Sequence, residues 1–211
     1  MNVLEQFGII PIDFATLATV FGEYKSPKDK ISKMEKSGEL IRLKKGLFVV
    51  APEVHRLPIS KELIANHIYG PSYISLESAL SFYGLIPERV YAIRSITIKR
   101  SRNFSNQLGN FNYTSVAENY YPFGIRQEIF NNKYAYLIAT PEKAICDIIL
   151  TTNGLRLQSM KAMKSFLEED LRIDFTALKT IDPEIIRLCS EAGKKKTELT
   201  LLSKLFEDEH I

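Results

Sequence analysis

The sequence predicts an α+β protein, and three observations lead to that prediction. Helical periodicity comes first along the chain, β-prone runs occupy the middle, and helical periodicity returns after Pro141 and continues towards the C-terminus. Helices and strands grouped in this way are typical of α+β folds rather than of regularly alternating α/β folds. The 211 residues, 45% of them hydrophobic, suffice for one large domain or two modest ones.

The first 24 residues predict two helices. Residues 2–7 are expected to form a short turn or helix, and Pro11 opens a second helix. Apolar residues recur at helical spacing from Phe14 to Phe21, before Gly22 ends the pattern.

A short basic helix is predicted next. Ser26 is suited to cap it, and Pro27 to occupy its first position, where the missing N–H costs nothing. Ile31 and Met34 lie three residues apart and can share the face that meets a core. Gly38 supplies the C-terminal break.

Two β-prone runs joined by a tight turn follow the basic helix. They are residues 40–43 and 47–50, and Lys44-Lys45-Gly46 between them is typical of a hairpin turn. Helices followed by such a hairpin have the order of a winged helix-turn-helix. In that fold one helix enters the major groove of DNA, and the hairpin, or wing, lies on the neighbouring phosphates.

The charges support this assignment, which we give to residues 1–52. Residues 1–24 contain no Lys or Arg, so basic charge is concentrated in the stretch that follows. The whole chain has a net charge of only +3, so a nucleic-acid role must rest on local patches. Residues 25–46 contain eight basic residues against three acidic ones, namely Lys25, Lys28, Lys30, Lys33, Lys36, Arg42, Lys44 and Lys45 against Asp29, Glu35 and Glu39.

We predict that the basic helix contacts base edges or adjacent phosphates, because the first residues of a recognition helix approach the bases most closely. The wing would hold phosphates or reach a minor groove. The predicted DNA-binding residues are Ser26, Lys28, Asp29, Ser32, Lys33 and Lys36 on the helix and Arg42, Lys44 and Lys45 on the wing.

The remaining chain predicts a linker and a larger domain. Residues 53–59 are predicted to be a semi-rigid linker, because Pro52 directly precedes them and Pro58 lies within them. Residues 60–211 then predict an α+β domain of helices, an antiparallel sheet and further helices. Its predicted helices are at 60–70, 75–83, about 142–151, 157–170, 183–192 and 196–208, and its predicted strands are at 90–99, 111–116, 123–130 and 134–138, with a turn at residues 131–133.

A second group of basic residues lies in the predicted sheet region. Residues 89–107 contain no Asp or Glu, and aromatic residues are interleaved with the cations. Two interpretations stay open. The group could form a second basic surface that continues a DNA path or meets an RNA or nucleotide partner, or it could be a sheet edge protected by charge. Its members are Arg89, Arg94, Lys99, Arg100 and Arg102.

No pattern in the sequence indicates an enzyme. The serines from Ser72 to Ser81 recur every third residue without a Gly-x-Ser-x-Gly elbow, and the glycines do not form a phosphate loop. The histidines His55, His67 and His210 are too scattered for a sequence-local metal site. We therefore expect no catalytic residue, no cofactor and no metal.

The cellular setting can be predicted only in outline. No apolar run approaches the ~20 residues that cross a bilayer, and no secretory leader is evident, so we expect a cytoplasmic protein without a membrane partner. Cys146 and Cys189 each lie among apolar neighbours, which favours two reduced core thiols over a disulfide. The oligomeric state does not follow from the sequence.

Three blocks resemble the AbiEi-type antitoxin family, the antitoxin and regulator halves of bacterial type IV toxin–antitoxin (abortive-infection) systems. They are residues 70–88 (GPSYISLESALSFYGLIPE), residues 139–147 (ATPEKAICD) and residues 38–48 (GELIRLKKGLF). The resemblance covers most of residues 10–150 in the same order, whereas the C-terminal third is similar only in being helical.

The resemblance implies an N-terminal winged helix that binds the operator of its own operon in double-stranded DNA and represses it. It also implies a C-terminal domain that opposes a nucleotidyltransferase-like toxin, and it does not require a stable complex between the two proteins. The family contributes no catalytic residues. The alternative is a non-catalytic interaction module, in which the winged helix and the second domain are docking platforms for other proteins.

Overall fold

A computed structural model describes residues 3–175, 178 and 181–208, and it contains two β-sheets with helices packed on them. The predicted α+β class is confirmed. The smaller sheet is N-terminal, antiparallel and ordered β1-β3-β2. The N-terminal elements are a 3-10 helix (Val3–Phe7), β1 (Ile12–Asp13), α1 (Phe14–Val20), α2 (Pro27–Lys36), β2 (Leu40–Lys44) and β3 (Leu47–Val50).

The helix predicted to open at Pro11 begins three residues later. Ile12 and Asp13 form β1 instead, because they pair with the hairpin strand β3. Asp13 then caps α1, and its carboxylate accepts a hydrogen bond from the Thr16 N–H over 2.7 Å. Asn2, the first residue of the short helix that we predicted, lies outside the described residues.

The β2–β3 hairpin is buried on both faces. Leu40, Phe48 and Val50 pack into a cluster with α1 and α2. The alternate residues, among them Ile41 and Val49, belong to the core of the remaining chain. Since side chains alternate across a strand, this small sheet is a layer shared by two cores.

A six-stranded sheet forms the centre of the remaining chain, in the order β6-β7-β5-β4-β9-β8. Helices α4 and α5 pack beside it. The elements are α3 (Pro52–His55), α4 (Lys61–Ile68), β4 (Ser72–Ile74), α5 (Leu76–Phe82), β5 (Ala92–Thr97), β6 (Arg102–Asn106), β7 (Gly109–Ser115), β8 (Ile125–Phe130) and β9 (Tyr134–Ala139). Helix α3 occupies the start of the stretch that we predicted as a linker.

The predicted antiparallel sheet is wrong, because this sheet is mixed. Strands β5 and β7 run parallel, as do β4 and β9. The prediction missed β4 and β6. Strand β6 takes the edge position outside β7, so β7 returns beside β5 in the same direction.

The C-terminal part is helical, as predicted. Helix α6 begins behind the cap Thr140, whose side chain accepts from the Lys143 N–H over 3.4 Å. Cys146 and Cys189 are free and buried, which confirms the prediction of core thiols. The helices are α6 (Pro141–Thr151), α7 (Met160–Ser165) with a π-helical turn at Phe166–Asp170, α8 (Pro183–Ala192) and α9 (Lys196–Asp208).

A buried carboxylate joins the two C-terminal blocks of the family resemblance. Asp147 on α6 accepts hydrogen bonds from the hydroxyls of Tyr73 (3.0 Å), Ser75 (2.6 Å) and Tyr120 (2.8 Å). Lys143, one helical turn earlier, lies 3.3 Å from the carboxylate, and both side chains are fully buried. Burial raises the pKa of Asp147, while Lys143 and the three hydroxyls act in the opposite direction.

Candidate nucleic-acid interface

Helix α2 presents a polar face directly opposite its core-facing side. Ile31 and Met34 are buried on one side. Lys28, Ser32 and Lys36 are spaced four residues apart and form a line on the other side, and Asp29 and Lys33 form the adjacent line. The structure therefore brings five of the six predicted helix residues onto one surface.

The sixth residue, Ser26, caps the helix as predicted. Its hydroxyl accepts from the Asp29 N–H over 3.4 Å, with Pro27 in the first turn. Tyr24 was not among the residues that the sequence predicted for the candidate interface. This residue is exposed just before α2, and its ring centroid lies 5.1 Å from Nζ of Lys30. Its position as an aromatic residue in the turn before a basic helix is the sequence signal that could have added it to the candidate interface.

Arg42 connects the wing strand β2 to helix α2. Its guanidinium forms a two-pronged ion pair with Glu35, in which Nε donates to Oε1 over 2.6 Å, and it lies 4.9 Å from the Phe48 ring centroid. The pair lowers the pKa of Glu35 and raises that of Arg42. Arg42 thus links β2 to α2, and the carboxylate of Glu35 offsets its positive charge.

Lys44, the last residue of β2, and Lys45, in the turn that follows, have different surroundings. Lys44 Nζ donates to the carbonyl oxygen of Ile68, at the C-terminal end of α4, over 2.5 Å. Burial, and then the charges of Lys99 and Arg102, lower the pKa of Lys44. Lys45 is exposed beside the turn residue Gly46, whose φ is +77°.

The hairpin tip and part of the second basic group line one concavity. Lys99 and Arg102 reach it from the six-stranded sheet, beside Lys44 and Lys45. Aromatic rings support both cations: Lys99 Nζ lies 5.4 Å from the Tyr69 centroid, and the Arg102 guanidinium lies 5.0 Å from that of Phe104. We name the four cations Lys44, Lys45, Lys99 and Arg102 the composite basic surface.

The other members of the second basic group have other surroundings. Arg94 pairs with Glu77 on α5, which offsets its charge. Arg89 lies against the exposed ring of Tyr91, 5.8 Å from its centroid. Arg100 is exposed, and its backbone carbonyl accepts from the Tyr69 hydroxyl over 3.2 Å. The structure therefore divides the predicted group rather than keeping it as one patch.

Within the described part of the chain, no cluster of three or more His, Cys, Asp or Glu side chains could hold a metal ion. His55 and His67 contact backbone atoms of their own neighbourhood, and His210 lies outside the described residues. In that same part of the chain, no helix is long and apolar enough to cross a bilayer.

Comparison with known proteins identifies no family for this chain. A scan against protein-family models finds no match to the chain, and a search of curated proteins finds no similar sequence.

Proposed function

We propose that the protein is a sequence-specific DNA-binding transcriptional regulator, whose residues 1–52 act as a winged helix-turn-helix. The order 3-10 helix, β1, α1, α2, β2 and β3, with a hairpin directly after the basic helix, supports this proposal. In helix-turn-helix proteins the second helix lies in the major groove. Here α2 holds that position in the order of elements.

The observation that carries the proposal is the exposed face of α2. Lys28, Asp29, Lys33 and Lys36 are exposed on the side away from the core, and the half-buried Ser32 lies among them. An α-helix fits the major groove of DNA. The hydroxyl, carboxylate and ammonium groups on this face of α2 are hydrogen-bond donors and acceptors of the kinds that contact base edges and phosphates.

The composite basic surface would extend the DNA path beyond α2. Lys45 and Arg102 stand on separate elements but line the same concavity, so consecutive phosphates of one strand could pass from the hairpin tip to β6. We choose duplex DNA over an RNA or nucleotide partner for this surface because Lys44 and Lys45 belong to the hairpin that directly follows α2, the helix that we propose enters a DNA groove. Each neutralised phosphate adds affinity that falls with rising salt.

The finer proposal follows the family resemblance. The protein would repress its own operon in the bacterial cytoplasm and act as the antitoxin to a nucleotidyltransferase-like toxin. The observation that fits this proposal is the meeting of the resembling blocks 70–88 and 139–147 around Asp147, which makes them one structural unit.

A gel-shift titration on the DNA upstream of its own gene, compared with a scrambled duplex at two salt concentrations, tests the DNA proposal. We expect tight binding to the natural sequence and weaker, more salt-dependent binding to the scrambled one. Lys28→Ala with Lys33→Ala should remove the preference. Lys161→Ala with Lys204→Ala, which removes two exposed lysines on α7 and α9, is the charge-matched control and should retain it. Weak binding without sequence preference would overturn the proposal and favour the protein-docking alternative.

A further inference from the structure

Strand β8 forms one edge of the six-stranded sheet, and its outer side faces away from β9. Arg126, Gln127 and Ile129 are exposed, the last with 61% of its surface accessible. Leu137, opposite Gln127 on β9, is also 40% exposed. An edge strand of six residues that exposes Ile129, with the exposed Leu137 on the strand beside it, is a template for a further strand.

The hydrogen-bond register fixes which backbone groups point outwards. Thr140 N–H donates to the Gly124 carbonyl over 2.8 Å, so Gly124 and Thr140 form a hydrogen-bonded pair. Because such pairs alternate along an antiparallel ladder, Arg126 and Glu128 bond to β9, while Ile125, Gln127 and Ile129 direct their N–H and C=O groups away from it.

A side chain on α4 confirms this register independently. The Leu137 N–H donates to Oδ1 of Asn66 over 2.6 Å, and Nδ2 of Asn66 donates to the Leu137 carbonyl over 3.5 Å. The backbone of Leu137 therefore faces away from β8, so that of its cross-strand partner Gln127 faces outwards.

The sequence of β8 is complementary to itself in the antiparallel direction. A two-fold axis at Gln127 places Ile125 opposite Ile129 and Arg126 opposite Glu128, each of them twice. In this arrangement the hydrogen-bonded pairs would be Gln127 with its counterpart and Ile125 with Ile129. These are the residues whose backbone N–H and C=O groups point outwards. The oppositely charged residues then occupy the non-bonded pairs, where side chains approach most closely.

We propose that two copies of this chain pair through β8, antiparallel about Gln127, into a dimer with a continuous twelve-stranded sheet. The occupant of the edge is a second copy because charge, apolar contact and hydrogen-bond register are all satisfied by the same two-fold operation. This inference does not depend on the proposed DNA-binding function.

Light scattering coupled to size exclusion tests the dimer. We expect wild-type protein to show twice the 24.1 kDa of one chain at micromolar concentration. Arg126→Glu makes positions 126 and 128 both negative, and Glu128→Arg makes them both positive, so each variant alone should be a monomer. An equimolar mixture of the two should recover the dimer mass, because each negative strand then meets a positive one.

The mixture separates pairing between chains from the ion pair within one chain, in which Arg126 contacts Glu128 at 2.6 Å. A loss of folding in either variant could not produce recovery on mixing. As a backbone test, Gln127→Pro removes an outward N–H and should give a monomer, while Gln127→Ala keeps the dimer. A wild-type protein with the mass of one chain throughout the micromolar range, or a dimer that survives Gln127→Pro and both charge variants, would overturn the proposal.

Discussion

Lys44 Nζ donates to the Ile68 carbonyl, so the tip of the N-terminal hairpin is bound to the C-terminal end of α4. The carbonyl groups at that end of a helix lack partners within the helix and carry partial negative charge. Lys44 satisfies one of them. The adjacent Lys45 has no such role, and the two lysines should therefore behave differently when replaced.

We predict that Lys45→Ala lowers the slope of log affinity against log salt by about one unit, as the loss of one phosphate contact requires. Lys44→Met should instead lower the free energy of unfolding by about 1–3 kcal/mol, because a charge-assisted hydrogen bond is lost. DNA titrations at several salt concentrations and urea unfolding measure the two effects. Equal salt slopes for wild type and Lys45→Ala would contradict the assignment of the hairpin tip.

The ion pair between Glu35 and Arg42 predicts a pH dependence of stability. Arg42 lowers the pKa of Glu35, so the pair's contribution is complete above the ordinary carboxyl pKa of 4.5 and is lost as the pH falls through the lowered value. The difference in free energy of unfolding between wild type and Glu35→Gln should be constant from neutral pH down to about 4.5, and it should shrink as the pH falls from there through the lowered pKa. A difference that grows on acidification would contradict the sign.

Replacing Lys143 and Asp147 together should lower the free energy of unfolding by less than the two separate replacements would suggest. Asp147→Asn leaves the Lys143 ammonium buried without a counter-charge, which should cost about 3–5 kcal/mol of unfolding free energy. Lys143→Met combined with Asp147→Asn should cost less than the sum of the single changes. Chemical unfolding of the four proteins gives the coupling energy, and simple additivity would show that the pair does not act as a unit.

Because the side chains of the β2–β3 hairpin are divided between two hydrophobic cores, an isolated N-terminal fragment should be unstable. A chain of residues 1–59 would expose Ile41, Leu43 and Val49, which are buried against the remaining chain. Each such aliphatic side chain contributes about 1.5–3 kcal/mol when buried, so we expect the fragment to aggregate or to unfold at low urea. A fragment with a cooperative transition matching that of the full chain would contradict this expectation.

Local signals made most helices predictable, while long-range pairing did not follow from the sequence. Ser26 and Thr140 are each followed by a proline, a pattern that predicts a helix start. In the structure both residues cap their helices. Asn131 and Asn132 adopt the positive φ that their turn requires. By contrast, β4 has only three residues, and β6 is polar, so neither carries a strand pattern of its own.

The composite basic surface could be predicted only in part. Lys45 and Arg102 are both recognisable as basic residues, but their proximity depends on the packing of β2 against β6. One signal for that packing was present: the hairpin strands are apolar at nearly every position, a pattern typical of strands covered on both faces. The partners of Arg42 and Arg94 depend on tertiary contacts and had no such signal.

The carboxylate of Asp147 offers a way to recognise distant relatives of this chain. A tyrosine on a strand, a serine two residues later at the start of the next helix, and a lysine and an aspartate four residues apart on a later helix form one buried cluster with Tyr120. Overall similarity can be lost while these spacings persist, since they are set by strand and helix geometry. A search for the spaced pairs, rather than for continuous similarity, would therefore reach chains that ordinary sequence comparison leaves unconnected.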